Sequence, residues 1–212
     1  MTKILILGAT SHISHYLIPD LLKLPDIQLT LFARNATQRL KGYRAYSQIT
    51  LFDGDWDHPD DLKAAIKSQE IVYLATGHFK QANKNVVQAM TENHVSRLIV
   101  AGGLGIYDEV VGKFGEWNAR MMGDYTSIKA AAAIIDHSAL DYTFLRMSWL
   151  YDQDGNTAYE IVPQGQPMKG TQVTRQAIAK LVTDIVRNPK LYNKQSIGVQ
   201  EPHTEWDKPS FY

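Results

Sequence analysis

The chain has 212 residues, no cysteine, and 22 lysines and arginines balanced by 22 aspartates and glutamates. This balance excludes the basic surface typical of nucleic-acid and anionic-membrane binders and favours a small-molecule partner. The lack of cysteine excludes disulfides, thiolate metal sites and a cysteine nucleophile. The length suits one domain over residues 1–212. The short opening apolar run and the absence of a membrane-length run predict a soluble cytoplasmic protein.

The opening stretch predicts a strand, a tight turn and a helix. Lys3–Leu7 is nearly all apolar and is β-prone, Gly8 interrupts it, and apolar residues recur at helical spacing from Ile13. In a parallel sheet such a turn aims the free N–H groups of the helix at a dinucleotide pyrophosphate. The full fingerprint has three glycines, and here Ser11 and Ser14 take the second and third places. The alternative is an ordinary turn capped by Thr10 or Ser11.

The second predicted strand, Ile27–Ala33, is followed by Arg34. In dinucleotide-binding folds, an acidic residue here binds the ribose hydroxyls of NAD, and a basic residue accommodates the 2′-phosphate of NADP. Arg34 therefore favours NADP(H) over NAD(H). The alternative is a solvated surface arginine.

Three further strands are predicted at Ile49–Phe52, Ile71–Ala75 and Arg97–Ala101, with helices between them. Asp55, after the third strand, is either a hydrogen-bond acceptor for the adenine amino group or a turn residue. The alternation predicts an α/β fold with a doubly wound parallel sheet of the Rossmann type, in strand order 3-2-1-4-5-6. The sixth strand is predicted at Tyr142–Met147. A final helix over Val173–Arg187 and a short seventh strand over Gln195–Gln200 complete the fold. Ligands are expected at the carboxyl ends of the strands.

Tyr125 and Lys129 open the next predicted helix, which continues to about Ser138. Residues four apart on a helix share a face, so the hydroxyl and the ammonium can reach one site. The lysine would lower the pKa of the phenol and make Tyr125 a general acid, and it would also bond the nicotinamide ribose. The alternative is a packed tyrosine and a solvated lysine.

These residues together resemble the atypical short-chain dehydrogenase/reductases, in their compact NAD(P)H-binding, NmrA-like branch. The resemblance rests on Gly8-Ala9-Thr10 with Ile13, Arg34, Gly54-Asp55, Tyr125 with Lys129, Leu140–Arg146 and Thr174–Ala179. It implies that the Gly8-Ala9-Thr10 loop holds the pyrophosphate and that Thr10, Ser11, His12 and Ile13 line the phosphates. It further implies that Asp55 lies by the adenine and that Ala75, Thr76 and Gly77 lie by the adenosine ribose. Tyr125 and Lys129 would be the catalytic pair, and Arg146 would be a structural arginine bonded to backbone.

The sequence departs from related dehydrogenases after the fifth strand, where Gly102 and Gly103 stand in the region of their active-site serine. Some members of the compact branch reduce flavins or quinones by direct hydride transfer, and others only bind the nucleotide. The sequence therefore predicts an NADP(H)-binding oxidoreductase that passes hydride to a flavin, quinone or carbonyl compound, with Tyr125 as proton donor. The alternative is a non-catalytic sensor that passes the NADP(H) redox ratio to a protein partner.

Two irregular regions, Tyr107–Asp124 and Tyr151–Gln172, are expected to overhang the nicotinamide and to select the substrate. Their aromatic residues and methionines either wall a flat apolar pocket or pack the loops onto the sheet. No metal ligand is predicted from His12 or His15. The tail, Glu201–Tyr212, is expected to be loosely ordered or to wrap a neighbour, and a homodimer formed through helices is compatible with the sequence.

Overall fold

The computed structural model describes residues 1–212. Its strands are β1 (Thr2–Leu7), β2 (Ile27–Ala33), β3 (Ile49–Asp53), β4 (Ile71–Leu74), β5 (Arg97–Gly103), β6 (Asp141–Met147), β7 (Trp149–Tyr151), β8 (Glu160–Val162), β9 (Gln172–Thr174) and β10 (Gln195–Gln200). Its helices are α1 (His12–Leu22), α2 (Ala36–Arg39), α3 (Pro59–Ile66), α4 (Lys80–Glu92), α5 (Gly112–Met122), α6 (Thr126–Asp136) and α7 (Arg175–Arg187), with a 3-10 turn at Lys41–Tyr43.

The main sheet has eight strands in the order β3-β2-β1-β4-β5-β6-β10-β8. All neighbouring pairs are parallel except β10 and β8, which are antiparallel. The predicted order 3-2-1-4-5-6 is confirmed, and β10 is the short seventh strand. No pattern in the sequence predicted β8, a three-residue edge strand, or the parallel pair of β7 and β9.

The central strands are apolar along their whole length because helices cover both faces of the sheet. Residues Ile4–Leu7 of β1 are fully buried. One hydrophobic cluster joins the sheet to α1 and α7, with Leu17 and Leu181 among its members. A second cluster joins the other face to α3, α4 and α6 through residues such as Leu62 and Val86. None of the helices combines the length and apolarity needed to cross a bilayer.

The two regions expected to be irregular contain regular elements. The region Tyr107–Asp124 holds α5, whose sequence includes Gly112 and Gly115 and so gives a weak helical signal. The region Tyr151–Gln172 contains β8 and the beginning of β9. The final helix begins at Arg175, two residues later than predicted, because the Thr174 hydroxyl caps it by accepting from the Ala177 N–H at 2.9 Å.

The prediction of a loosely ordered tail is wrong, because residues 201–212 pack against their own chain, while contact with a neighbour stays a prediction. Thr204 is 2% exposed, and its carbonyl accepts from the Thr171 N–H at 3.0 Å and hydroxyl at 2.8 Å. The Phe211 ring stacks on Tyr151, and the Tyr212 ring contacts Trp117 and Trp149 edge-on. The tail therefore covers the region beyond β5 and β6.

Candidate functional site

The loop after β1 brings together the carboxyl ends of three strands. Gly8 has φ +87°, and a Cβ there would lie 2.9 Å from the Cβ of Ala75, after β4. The N–H groups of Gly8 and Ala9 donate to the Phe32 carbonyl of β2 at 3.0 and 3.1 Å. Both the backbone conformation and the space require glycine at this position.

The serines in place of glycine are satisfied within the loop. Ser11 is the N-cap of α1 and accepts from the Ser14 N–H at 3.2 Å, while its hydroxyl donates to the Ser14 hydroxyl at 2.9 Å. The buried Ser14 hydroxyl in turn donates to the Gly8 carbonyl at 3.0 Å. The N–H groups of His12 and Ile13 are used by no other backbone group. Ser11 therefore caps the helix, and two N–H donors remain for an anion, so the predicted phosphate contact stays a prediction.

A cleft opens between this loop and the ends of β2 and β3. We call it the cofactor cleft; it is lined by Gly8, Thr10, Phe32, Ala33, Arg34, Arg39, Gly54, Asp55 and Trp56. Arg34, Asp55 and the loop therefore meet as predicted from the sequence. Arg39 and Trp56 were missed. The only signal in the sequence for Arg39 is that it follows Arg34 closely. In the structure, Asn35 adopts a left-handed conformation and starts the short helix α2, which ends at Arg39.

Asp55 makes the turn bond that was one of its two predicted roles, and it also lies near Arg34. Its Oδ1 accepts from the Asp57 N–H at 3.1 Å, which is the local bond of a turn residue. Its Oδ2 lies 3.9 Å from Nε of Arg34, whose side chain is 76% exposed. Asp55 thus stabilises the turn and also places a carboxylate near the guanidinium of Arg34 at the cleft. A bond to adenine stays a prediction.

The segment Ala75–Gly77 is fixed beside Gly8 by bonds to both flanking strands. The Ala75 N–H donates to Leu7 at 3.0 Å, and the Gly77 N–H donates to Ala101 at 2.8 Å. The buried Asn83 of α4 donates to the Gly77 carbonyl at 2.9 Å. Ala75, Thr76 and Gly77 therefore lie at the sheet edge next to the loop, where the ribose contact was predicted.

The region of the missing serine is filled by two rings. A Cβ on Gly102 would lie 2.0 Å from the buried Phe144 ring, and a Cβ on Gly103 would lie 3.1 Å from Nε2 of His78. Partial burial lowers the pKa of His78, which favours the neutral imidazole. His78, which the sequence analysis did not single out, thus stands between the ends of β4 and β5.

Tyr125 and Lys129 do not form the predicted pair. The Tyr125 Oη accepts from Nδ2 of Asn118 at 2.6 Å, and Nζ of Lys129 lies 2.7 Å from Asp108. Burial raises the pKa of Tyr125; the Asn118 hydrogen bond opposes this rise and Glu109 adds to it. The prediction that Lys129 lowers this pKa is wrong. The backbone spacing is helical, since the Lys129 N–H donates to the Tyr125 carbonyl at 2.8 Å, but each side chain has a different partner.

A family model described as NAD(P)H-binding matches residues 8–189. The chain belongs to this NAD(P)H-binding family. A Rossmann-fold NAD(P)-binding family protein from Shigella flexneri is 33% identical over 100% of both chains, with a TM-score of 0.82. No curated protein matches the chain.

Two solved structures from Veillonella parvula DSM 2008 are also similar to the chain. A short-chain dehydrogenase/reductase (wide type) in complex with NADP is 29% identical over 99% of both chains, with a TM-score of 0.95. An ethylated short-chain dehydrogenase/reductase is 28% identical over 100% of this chain and 99% of its own, with a TM-score of 0.94. The predicted NAD(P)H-binding Rossmann fold is confirmed, and the chain is similar to these short-chain dehydrogenase/reductases. The NmrA-like branch stays a prediction.

We call the region beyond β5 and β6, around Tyr125 and Arg146, the acceptor side, because the sequence predicts that the hydride acceptor lies there. Asn118, in this region, is a further residue that the sequence analysis missed. It is 3% exposed and lies between Tyr125 and Trp149, whose Nε1 donates to its Oδ1 at 2.9 Å. Its position within α5, a helix with a weak sequence signal, hid it. Asn118 connects the candidate proton donor to the segment after β6.

Arg146 is a structural arginine, as the resemblance implied. It is fully buried, and its Nη2 donates to the carbonyls of Val162 at 3.2 Å and Ser196 at 3.4 Å. Its Nη1 lies 2.9 Å from Glu109, a partner that the sequence analysis missed. Glu109 also accepts from the N–H groups of Gly105 and Tyr107 at 3.0 and 2.9 Å. The pair therefore fixes the segment after β5 against which Tyr125 packs.

The aromatic residues of the acceptor side pack against one another. The Trp117 and Trp149 rings meet edge-on with centroids 4.9 Å apart, and Trp117 also stacks on the buried Phe114. Tyr212 of the tail contacts both tryptophans, at 5.1 and 5.2 Å. These contacts favour the packing interpretation. Met121 and Met122 are exposed and contribute no wall.

Proposed function

We propose that the protein is an NADP(H)-dependent oxidoreductase that transfers hydride to a small acceptor, namely a flavin, a quinone or a carbonyl compound. The observation that carries the proposal is the presence of Arg34 and Arg39 in one cleft at the end of β2, beside the loop with free N–H groups. Membership of the NAD(P)H-binding family supports the hydride chemistry, because the nicotinamide supplies it.

The preference for NADP(H) is argued from charge. Two guanidinium groups line the cleft against the single carboxylate of Asp55, and the residue directly after β2 is basic. A ribose 2′-phosphate offers oxygens that guanidinium groups bind by charge-assisted hydrogen bonds. The similar Veillonella protein was solved in complex with NADP, which supports the same preference here.

On the acceptor side, the proposed proton donor is Tyr125. Bound NADPH supplies the hydride, and the acceptor then needs a proton if its reduced atom is an oxygen or a nitrogen. Tyr125 lies after β5 and beside Gly105, at the sheet edge where the nicotinamide end is expected. Lys129 would contact the nicotinamide ribose after release from the exposed carboxylate of Asp108.

Calorimetric titration with NADPH and NADH tests the cofactor proposal in wild type, Arg34→Ala and Arg39→Ala. We expect tighter binding of NADPH, a loss of about 10-fold or more for each substitution, and little change for NADH, because each arginine contributes a charge-assisted hydrogen bond. Arg187→Ala, an exposed arginine on α7, is the matched control. Equal affinities for the two nucleotides in wild type would contradict the preference.

The second candidate function is a nucleotide sensor without turnover. The observation that favours it is the glycine pair 102–103, where the Phe144 ring leaves no room for a side chain at Gly102 and His78 crowds one at Gly103. NADPH oxidation with quinones, flavins and aldehydes separates the two functions: binding without oxidation of NADPH by any acceptor supports the sensor. If Tyr125→Phe has the wild-type rate, Tyr125 is not the donor and direct hydride transfer remains.

A further inference from the structure

The surroundings of the Tyr125 hydroxyl contain one polar side chain that touches it, and that side chain is not Lys129. Asn118 of α5 is 3% exposed and places its Nδ2 2.6 Å from Oη of Tyr125. Its Oδ1 lies 2.9 Å from Nε1 of Trp149. The three residues therefore form a short chain of hydrogen bonds that ends on the phenol oxygen.

The chemistry of Trp149 fixes the direction of this chain. An indole Nε1–H can only donate, so the amide atom that faces it must be the oxygen. The amide nitrogen of Asn118 then faces Tyr125, and because that nitrogen can only donate, the phenol oxygen must accept. A flipped amide would place two donors against each other at the indole. Trp149 thus determines which bond Tyr125 makes.

The consequence concerns the hydroxyl proton of Tyr125. Its oxygen accepts from Asn118, and its O–H has no acceptor in the protein. The Tyr125 ring lies against Gly105, at the end of β5, with Oη 2.8 Å from the position that a Cβ on Gly105 would occupy. The proton is thus free to be donated to a molecule bound beyond β5.

We propose that Asn118, locked in orientation by Trp149, is a positioning residue that directs the Tyr125 proton toward the acceptor and stabilises the phenolate left behind. This inference rests on the proposed function. After hydride reaches the acceptor, the O–H bond of Tyr125 breaks, its proton bonds to the acceptor oxygen or nitrogen, and its electron pair stays on Oη. Water then returns a proton, so one NADPH and one proton are consumed for each acceptor reduced.

The amide suits this role because aligned hydrogen bonds polarise one another in a buried site. Lys129, the cation expected to stabilise the phenolate, is paired with Asp108 at 2.7 Å. Asn118 is neutral, so its burial between Tyr125 and Trp149 carries no cost for desolvating a charge. The bond that it donates becomes stronger when Oη becomes negative, which is the moment at which stabilisation is needed.

The direct test is a titration of Tyr125 that needs no acceptor. The protein is labelled with 3-fluorotyrosine, whose more acidic phenol titrates at lower pH, and the Tyr125 signal is assigned by ¹⁹F NMR with Tyr125→Phe. We expect Asn118→Leu to raise the pKa of residue 125 by about 1, because a hydrogen bond to the charged form is lost. Trp149→Phe removes the lock and should raise it by less.

The remaining tyrosines serve as internal controls, and Thr183→Val removes a buried hydrogen bond on α7 as a matched control. An unchanged pKa of residue 125 in Asn118→Leu would overturn the proposal. If Asn118→Leu does not fold, Trp149→Phe, which keeps an aromatic ring, decides the same question. An unchanged pKa of Tyr125 in that variant would show that Trp149 does not fix the orientation of Asn118, which overturns the proposal.

A kinetic cycle then separates positioning from structural support. With NADPH and the best quinone or aldehyde, we expect Asn118→Leu to lower kcat about 10-fold or more at unchanged NADPH affinity. In the Tyr125→Phe background the same substitution should have no further effect. An equal loss in both backgrounds would overturn the proposal. Absence of NADPH oxidation in wild type would reject the proposed oxidoreductase, while the ¹⁹F titration would still decide the role of Asn118.

Discussion

The cofactor side of the sheet edge, around Gly8 and Arg34, is built largely from backbone, whereas the acceptor side, around Tyr125 and Arg146, is built from side chains. On the cofactor side, each element directly follows a strand and is held by backbone bonds such as those of Gly8 and Ala9 to Phe32. On the acceptor side, the deciding contacts join residues 31 and 37 positions apart, Asn118 with Trp149 and Glu109 with Arg146.

This difference shows where sequence motifs carry information. A loop that binds its ligand through backbone N–H groups at a tight turn can be recognised from a few consecutive residues, because the preceding strand determines its position. A site formed by side chains from α5, β6 and the tail depends on packing between distant segments. Substitutions on each side separately should therefore cause different losses of stability and NADPH affinity.

The largest effect is expected on the acceptor side, from Arg146→Met. Removing the guanidinium leaves the buried carboxylate of Glu109 without its charge partner, which costs about 3–5 kcal/mol of the free energy of unfolding. Urea unfolding followed by tryptophan fluorescence measures it. Addition of Glu109→Gln to this variant should recover part of the loss, since no buried charge then remains. A double variant as unstable as Arg146→Met would contradict this account.

Gly8→Ala should produce the next largest effect, on the cofactor side. The new Cβ would lie 2.9 Å from Ala75 in a residue with φ +87°, so the loop must move. We expect a loss of about 1–3 kcal/mol in stability and NADPH binding weaker by 10-fold or more. Thermal unfolding and calorimetry measure the two effects. Gly42→Ala is the matched control, since no atom lies within 4 Å of its Cβ position.

A smaller effect is expected from Tyr212→Ala, which removes the tail ring from Trp117 and Trp149. Loss of two edge-on aromatic contacts by a half-exposed side chain should cost about 1 kcal/mol. NADPH affinity should stay at the wild-type value, because the ring lies on the acceptor side. Trp206→Ala, an exposed ring elsewhere in the tail, is the comparison. Weakened NADPH binding in Tyr212→Ala would show that the two sides are coupled.

The smallest expected effect is a loss of folding stability at acid pH, which arises from Asp53 on the cofactor side. Hydrogen bonds from Thr37 hold the pKa of Asp53 below its ordinary 3.8 and tie α2, which carries Arg39, to the end of β3. Since the folded pKa is lower than the unfolded one, this stabilisation is present above the unfolded pKa and lost as pH falls through the folded pKa.

The comparison of wild type with Asp53→Asn measures this contribution. The difference in their urea midpoints should be constant above about pH 5 and shrink below about pH 4. A difference that stays constant down to pH 3 would assign the effect to packing and not to ionisation.

The fold was predictable because periodicity reports burial. The order of the parallel strands followed from alternating strands and helices, and both β2 and β10 have the predicted bounds. At the site, Arg34 and Asp55 could be placed from their positions after strands. Asn118 and Glu109 could not, because α5 contains helix-weakening glycines and each side chain acts on a partner that only the fold brings near. His78 was visible in the sequence, but its position beside Gly103 depends on the neighbouring strand.

The contact between Gly102 and Phe144 also limits the routes by which this site can change. A serine at Gly102 would place its Cβ 2.0 Å from a fully buried ring, so it requires a smaller residue at Phe144 at the same time. A smaller residue at Phe144 alone leaves a core cavity that costs about 3–5 kcal/mol. Either single substitution is therefore harmful by itself. A serine hydroxyl at position 102 therefore requires two coupled substitutions, one at Gly102 and one at Phe144.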